Sequence, residues 1–152
     1  MNDLIIRPAR PGDTPTIVRF NVLLAEESEG LELNPRTVDA GVRRMFSDPA
    51  LGRYFLAVSP EGDALGQLMI TTEWSDWRNC MIWWLQSVYT DSQHRGRGVF
   101  RSLCEHVVGE ARAADCRLRL YVERDNAQAI AAYRALGFDR CGYDVMEFEP
   151  TV

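Results

Sequence analysis

The sequence of 152 residues contains no lysine, and all 17 of its basic residues are arginine. A P-loop that holds a nucleotide phosphate needs a lysine, and so does an enzyme that forms a Schiff base. The chain is also acidic, with a formal net charge of −5 and a pI of about 5.1. Because nucleic-acid binding requires a basic surface, we expect neither lysine-dependent nucleotide chemistry nor a nucleic-acid partner.

Three further absences narrow the class of protein. No apolar run reaches the roughly 18 residues that a membrane helix requires, and the first residues show no secretory signal. We therefore expect no membrane partner and a cytoplasmic location. The four cysteines form no C-x-x-C pair, which argues against a zinc site and suits a reducing compartment; they are Cys80, Cys104, Cys116 and Cys141. We accordingly expect no bound metal.

The length is typical of one domain, and hydrophobic periodicity predicts how it is organised. Apolar runs bounded by residues such as proline, glycine and asparagine predict strands at 4–8, 53–58, 64–73, 80–90, 118–122 and 138–148. They predict helices after the N-cap Asp13, at 35–46, at 98–114 and at 127–136. The acidic segment 26–30 is expected to be a loop, and the apolar run 80–90 a central strand buried on both faces. The order β-α-α-β-β-β-α-β-α-β predicts an α/β fold with a mixed sheet.

The most informative segment joins the strand 80–90 to the helix 98–114. It contains two glycines two positions apart, Gly96 and Gly98, with Arg95 and Arg97 beside them. Glycine lets the backbone approach a ligand closely, and the first amides of a helix carry partial positive charge. An isolated G-x-G is more often a plain turn with solvated arginines, but a buried strand followed by a long helix favours a phosphate or pyrophosphate site. The third glycine of a dinucleotide-binding fingerprint is missing.

Two motifs in this sequence resemble those of the GNAT-type N-acetyltransferase superfamily. The string QHRGRG at 93–98 resembles the motif Q/R-x-x-G-x-G/A, and residues 126–138 resemble the element N-x-x-A-x-x-x-Y-x-x-x-G-F. They occur in the order found in that family, and the predicted element order matches it along nearly the whole chain. The resemblance implies a single N-acetyltransferase domain over 1–152, with a mixed, mostly antiparallel central sheet flanked by helices.

The same resemblance implies that acetyl-CoA is the acyl donor and assigns residues to it. Asn126 matches the position that commonly contacts the cofactor arm, and Tyr133 matches the tyrosine near the thioester sulfur. The end of the preceding strand would pair its backbone with the pantetheine arm, through Val88, Tyr89 and Thr90. The pyrophosphate loop would comprise Gln93, Arg95, Gly96, Arg97, Gly98 and Val99.

Acetyl transfer to an amine needs a proton acceptor for the amine and a donor for the departing thiolate. Tyr133 is the candidate donor, although a core aromatic residue would show the same helical spacing. Some family members carry a glutamate on the long central strand, but residues 80–90 contain no carboxylate. The remaining candidates for the base are Glu26, Glu27, Glu73, Glu123 and a water chain. Of these, Glu27 and Glu73 rank first because the segments that carry them usually approach the acceptor in this fold.

All four tryptophans lie within eleven positions, between Trp74 and Trp84. At least one is expected to pack in the core, and aromatic faces with nearby carboxylates suit an ammonium group. The candidate acceptor-binding residues are Glu27, Trp74, Trp84 and Gln86. The expected acceptor is a primary amine of a small molecule, an amino acid or a polyamine-like compound, acetylated directly in a ternary complex. A non-catalytic acyl-CoA-binding or regulatory module on the same fold remains the alternative, and a homodimer remains open because similar proteins are often dimers.

Overall fold

The computed structural model describes residues 3–150, which divide into two compact units. The first unit extends to Tyr121 and the second begins at Val122. Residues 1, 2, 151 and 152, which the predicted domain also includes, lie outside the described residues. The single N-acetyltransferase domain over 1–152 stays a prediction.

The first unit contains one five-stranded sheet with the strands in sequence order. The first three neighbouring pairs are antiparallel and the last pair is parallel. This arrangement confirms the predicted mixed, mostly antiparallel sheet. The strands are β1 (Ile5–Pro8), β2 (Arg53–Val58), β3 (Ala64–Ser75), β4 (Cys80–Thr90) and β5 (Arg117–Leu120).

Three α-helices of the described residues belong to the first unit: α1 (Thr14–Glu29), α2 (Pro35–Ser47) and α3 (Val99–Ala113). The side chain of Asn34 caps α2 by accepting a hydrogen bond from the Arg36 amide, as its Asn-Pro sequence predicts. The expectation of a loop at 26–30 is wrong, because α1 continues through these acidic residues to Glu29. Glutamate is a good helix former, and the helix ends only where Gly30 adopts a left-handed conformation with φ +63°.

The helices cover opposite faces of the sheet. On β2, the Tyr54 hydroxyl accepts a hydrogen bond from Asn21 of α1, whereas the neighbouring Phe55 ring contacts His106 of α3. Because successive strand residues point to opposite faces, α1 lies on one face and α3 on the other. The core on the α1 face is formed by Ile17, Val42, Met45, Tyr54, Leu56 and Val58.

Strand β4 differs from the prediction of a strand buried on both faces. Only Ile82, Leu85 and Tyr89 of its eleven residues are buried. Its neighbour β5 pairs with β4 from Ile82 to Leu85, and pairing of strand edges does not cover the two faces of a strand. Trp83 and Trp84 lie within this paired segment and are still partly exposed, so the apolar composition of β4 reflects partly exposed aromatic residues as well as core packing.

The second unit contains one helix, α4 (Ala127–Ala135), in its described residues. Gly137 has φ +93°, and the Phe138 amide donates to the carbonyl of Tyr133, so the helix ends as its Gly-Phe sequence predicts. Within the described chain, residues 138–148 form no strand, although their sequence predicts one. A strand requires a hydrogen-bonding neighbour that local sequence does not specify.

Candidate active site

The glycine turn predicted between β4 and α3 is present. After β4, residues Ser92–His94 form one turn of 3-10 helix, and the Asp91 side chain accepts a hydrogen bond from the Gln93 amide. Gly96 and Gly98 then adopt φ values of +75° and +83°. Side chains rarely tolerate this conformation, so glycine is needed at both positions. The turn leads directly into α3, whose first N–H groups have no preceding helical carbonyl to bind and carry the positive end of the helix dipole.

A β-bulge lies in β4 just before this turn. Gln67 of β3 is opposite Tyr89, and Met69 is opposite Gln86, so Leu68 faces two residues of β4. Ser87 takes up the extra residue with φ +49°. The bulge changes the alternation of side chains, so Gln86 and Tyr89 project to the same face of the sheet although they are three residues apart.

A buried glutamine holds this bulge. Gln67 is fully buried, and its Nε2 donates to the carbonyl oxygen of Ser87 at 3.2 Å and to Oδ1 of Asn21 at 2.8 Å. Asn21 in turn donates to the hydroxyl of Tyr54. The network fixes the bulge to α1 and β2. Gln67 was not among the residues predicted from the sequence, where the available signal was a single polar residue inside the apolar run 64–70.

One edge of β4 is open next to the turn. The parallel pairing with β5 ends at Leu85 and Leu120, whereas β4 continues to Thr90. Within the described residues, no strand pairs with this edge of β4 from Gln86 to Thr90. Backbone groups on an open strand edge can hydrogen-bond an extended ligand. This segment contains Val88, Tyr89 and Thr90, for which the resemblance implies backbone pairing with the pantetheine arm.

Three polar residues meet at the end of β4, although they are distant in sequence. The Tyr89 hydroxyl donates to Oε1 of Glu27 at 2.9 Å, and Nη2 of Arg95 pairs with Oε2 of the same carboxylate. Nε of Arg95 also donates to the carbonyl of Thr90 at 3.1 Å. We call Glu27, Tyr89 and Arg95 the α1–turn cluster. It connects the last turn of α1 to the glycine turn.

The electrostatics of the α1–turn cluster keep Glu27 ionised. Its hydrogen bond with Arg95 is the largest influence and lowers the pKa of the Glu27 carboxyl, and the Tyr89 hydroxyl acts in the same direction. Burial and the hydrogen bond to Glu27 raise the pKa of Tyr89 to about 12. Tyr89 is therefore a protonated donor at neutral pH. Glu27 is a carboxylate with both oxygens engaged, so it is a weak acceptor for a further proton.

Glu73 lies in a second polar group, on β3. Its Oε1 accepts a hydrogen bond from Nε1 of Trp84 at 3.3 Å, and its Oε2 lies 3.5 Å from Nη1 of Arg119. The Trp84 ring stacks on Tyr121 with 4.6 Å between centroids. We call Glu73, Trp84, Arg119 and Tyr121 the aromatic–acidic patch. Arg119 and Tyr121 were not predicted from the sequence, because their proximity depends on the pairing of β4 with β5.

The predicted acceptor residues do not all lie on one face. Gln86 shares the face of Trp84, and its Nε2 donates to Oγ1 of Thr71 at 2.5 Å. Glu27 lies in the α1–turn cluster described above. Trp74 follows Glu73 on β3 and is opposite Met81, so strand alternation places it on the other face. The structure thus groups Trp84 and Gln86 with Glu73 and separates Trp74 from them.

The two remaining predicted residues lie in the second unit, on α4. Oδ1 of Asn126 accepts a hydrogen bond from the Ala129 amide at 3.0 Å, so this side chain caps the helix. The ring of Tyr133 packs edge-on against Phe138 with 5.6 Å between centroids. Their roles toward acetyl-CoA stay predictions.

Comparison with known proteins identifies the family. The model of the acetyltransferase (GNAT) family matches residues 20–138. This is well over half of the chain, and the protein belongs to that family. The family predicted from the two sequence motifs is confirmed.

Individual relatives agree with this assignment. Streptothricin acetyltransferase of Streptomyces lavendulae is 28% identical over 167 aligned positions, which cover 95% of this chain and 86% of the relative. Mycothiol acetyltransferase of Kocuria rhizophila is 31% identical over 126 positions, covering 80% of this chain but only 36% of the relative. The crystal structure of a possible acetyltransferase from Clostridium difficile 630 superimposes with a TM-score of 0.91 at 36% identity, covering 98% of this chain and 99% of the other. These similarities support an acetyltransferase and confirm the fold class.

Two further features are absent from residues 3–150, a membrane-spanning helix and a metal-binding group. None of the helices described there is both long enough and apolar enough to cross a membrane. The same residues contain no group of three or more His, Cys, Asp or Glu side chains arranged to hold a metal ion.

Proposed function

We propose that the protein transfers the acetyl group of acetyl-CoA to a primary amine, directly, in a ternary complex. The acceptor is a small molecule, an amino acid or a polyamine-like compound. The observation that carries the proposal is the glycine turn, which follows an open strand edge and opens α3. Family membership supports the same donor, because acetyltransferases of this family use acetyl-CoA.

The donor half of the proposal rests on backbone groups. A pyrophosphate would accept hydrogen bonds from the amides around Gly96 and Gly98, which lie at the positive end of the α3 dipole. The peptide-like pantetheine arm would pair with the open edge of β4 from Gln86 to Thr90. Lysine is not needed for either contact, which explains how a chain without lysine can bind a phosphorylated donor.

The acceptor half rests on the aromatic–acidic patch. A cationic amine is attracted by the Glu73 carboxylate and by the faces of stacked aromatic rings. Arg119 lies near the same carboxylate and partly compensates its charge. An acceptor with both an ammonium and an anionic group, such as an amino acid, therefore has a partner for each of its charges in the patch.

The chemical step requires two proton transfers. The neutral amine nitrogen attacks the thioester carbonyl carbon, the carbon–sulfur bond then breaks, and the sulfur leaves as a thiolate. We assign the amine proton to Glu73 or to a water molecule beside it, because the contacts of Glu73 with Trp84 and Arg119, at 3.3 and 3.5 Å, are longer than those that hold Glu27 to Tyr89 and Arg95. We assign to Tyr133 the role of donating a proton to the thiolate. A tyrosine hydroxyl is a suitable donor for a thiolate whose thiol has a pKa of roughly 8.5.

The test is a thiol-release assay with acetyl-CoA and a panel of amines. The panel contains amino acids, polyamines, aminoglycosides and peptides, together with streptothricin because a relative is named for it. We expect release of free CoA with at least one amine. Binding of acetyl-CoA without release for any acceptor would instead support a non-catalytic acyl-CoA-binding module, and no binding would refute the donor assignment.

Two variants test the assigned roles once an acceptor is known. Tyr133→Phe is expected to lower kcat by about tenfold or more with little change in acetyl-CoA affinity. Glu73→Gln is expected to lower kcat/KM for the amine, whereas Glu61→Gln, in the exposed turn before β3, removes the same charge away from the patch and serves as its control. Unchanged turnover in Tyr133→Phe would reduce Tyr133 to a packing role.

A further inference from the structure

We propose that Glu27 is a positioning residue for the glycine turn, acting through Arg95 and Tyr89, and is not the base that accepts the proton of the amine. This proposal rests on the proposed function, because it concerns the turn that would hold acetyl-CoA. It replaces the expectation that Glu27 is a catalytic and acceptor-binding residue.

The contacts of Glu27 lead to the turn and to the strand before it. One carboxylate oxygen accepts from Tyr89, which is 4% exposed and packs against Phe20 of α1 with 5.2 Å between ring centroids. The other oxygen pairs with Arg95, the residue immediately before Gly96. Glu27 therefore connects α1 to Tyr89, near the end of β4, and to Arg95, in the turn that follows β4.

Arg95 is restrained from both sides. Its Nε donates to the Thr90 carbonyl at 3.1 Å, and its guanidinium lies 5.6 Å from the centroid of the Tyr89 ring. With Nη2 on Glu27, the side chain bridges the last residue of β4 and the last turn of α1. This bridge restricts the backbone between Thr90 and Gly96, and so fixes the direction in which the following amides point.

The charge of Arg95 is already compensated by Glu27. A guanidinium paired with a carboxylate attracts a phosphate less than a free one does, so the main effect of Arg95 is expected to be on the shape of the turn. The β4 bulge is also part of this arrangement. It turns Tyr89 toward the α1 face, where its hydroxyl can reach Glu27.

A positioning role for Glu27 and a role as the base predict different kinetic effects. Glu27→Gln removes the charge that pairs with Arg95 but keeps an oxygen that can accept from Tyr89. A positioning role predicts that KM for acetyl-CoA rises about three- to tenfold, because the pair is charge-assisted but half exposed. At saturating acetyl-CoA, kcat and the acidic limb of the pH–rate profile should stay close to those of the wild type.

A double-mutant cycle tests whether Glu27 acts through Arg95. Arg95→Gln alone is expected to raise KM for acetyl-CoA to a similar extent, and the double variant no further than either single one. Glu29→Gln, on the same turn of α1, removes the same charge away from Arg95 and should leave KM unchanged. Thermal melts verify that each variant is folded.

Three outcomes would overturn the positioning role. The first is a loss of kcat of tenfold or more in Glu27→Gln at unchanged KM, with loss of the acidic limb, which identifies a base. The second is a lower KM in Glu27→Gln, which shows that Arg95 acts on the phosphates by charge once it is released. The third is additive effects in the double variant. A wild-type protein that neither binds acetyl-CoA nor releases thiol would instead refute the proposed function, before any variant is compared.

Discussion

Gly66 of β3 offers a direct test of how the sheet supports the glycine turn. A Cβ atom at this position would lie 2.7 Å from the carbonyl oxygen of Tyr89 and 2.8 Å from Cγ1 of Val99. Both distances are shorter than real Cβ contacts, and Val99 is a buried residue at the start of α3. The φ angle of Gly66 is not left-handed, so alanine would introduce a steric conflict without backbone strain.

The expected cost follows from that conflict. Gly66→Ala must push the end of β4 and the first turn of α3 away from β3, and overpacking of this kind costs about 1–3 kcal/mol. For a domain of this size each kcal/mol lowers Tm by about 2–4 °C. Since the displaced atoms flank the glycine turn, we also expect weaker binding of acetyl-CoA, measured by isothermal titration calorimetry.

A matched glycine in the same unit serves as the control. Gly109 lies on the exposed side of α3, and a Cβ atom added there would have no neighbouring atom within 4 Å. Gly109→Ala should therefore stabilise the protein by about 0.5–1 kcal/mol. Urea unfolding of both variants measures the difference. If Gly66→Ala has the stability and the acetyl-CoA affinity of the wild type, the close approach of β3 to the turn does not matter and the prediction is refuted.

Three other substitutions test residues in the glycine turn and in the strands that lead to it. Gly98→Glu should abolish the increase in Tm that acetyl-CoA produces, because it strains a residue at φ +83° and places a carboxylate beside the phosphates; a retained increase would contradict this. Gln67→Leu should lower the free energy of unfolding by about 1–3 kcal/mol, since the partly buried carbonyl of Ser87 and Oδ1 of Asn21 lose their donor, and urea unfolding measures this loss. The pKa of Tyr89 is raised from an ordinary value of 10.0 to about 12, because the folded protein favours the protonated hydroxyl. The resulting stabilisation of the fold is fully present below pH 10. That stabilisation is lost as the pH rises toward 12, and the free energy of unfolding of Tyr89→Phe should lack this decrease.

Local signals explain which elements could be predicted. The limits of β2 and β4 and the start of α2 were predicted correctly, because proline, asparagine and glycine mark them within a few residues. The glycine turn was equally local. Where the signal was composition alone, as in the acidic segment 26–30, the prediction was wrong because glutamates continue a helix as readily as they form a loop.

Contacts between distant residues explain what could not be predicted. Glu27 and Arg95 are 68 positions apart, and nothing in either neighbourhood indicates the other. Strand alternation would place Gln86 and Tyr89 on opposite faces, and only the unexpected conformation of Ser87 reverses this. The contact of Arg119 with Glu73 likewise requires the register of three strands.

The bulge at Ser87 shifts the alternation of side chains along β4 by one residue. Every side chain after it, up to the end of the strand, points to the face opposite to the one that regular alternation from Gln86 would give. Removing Ser87 would therefore restore regular pairing and leave Tyr89 opposite Gln67 on the α1 face, because Gln86 and Tyr89 would then be two positions apart. A deletion that makes the strand more regular would thus keep Tyr89 on the side of Glu27, and it would remove the carbonyl oxygen that accepts a hydrogen bond from Gln67.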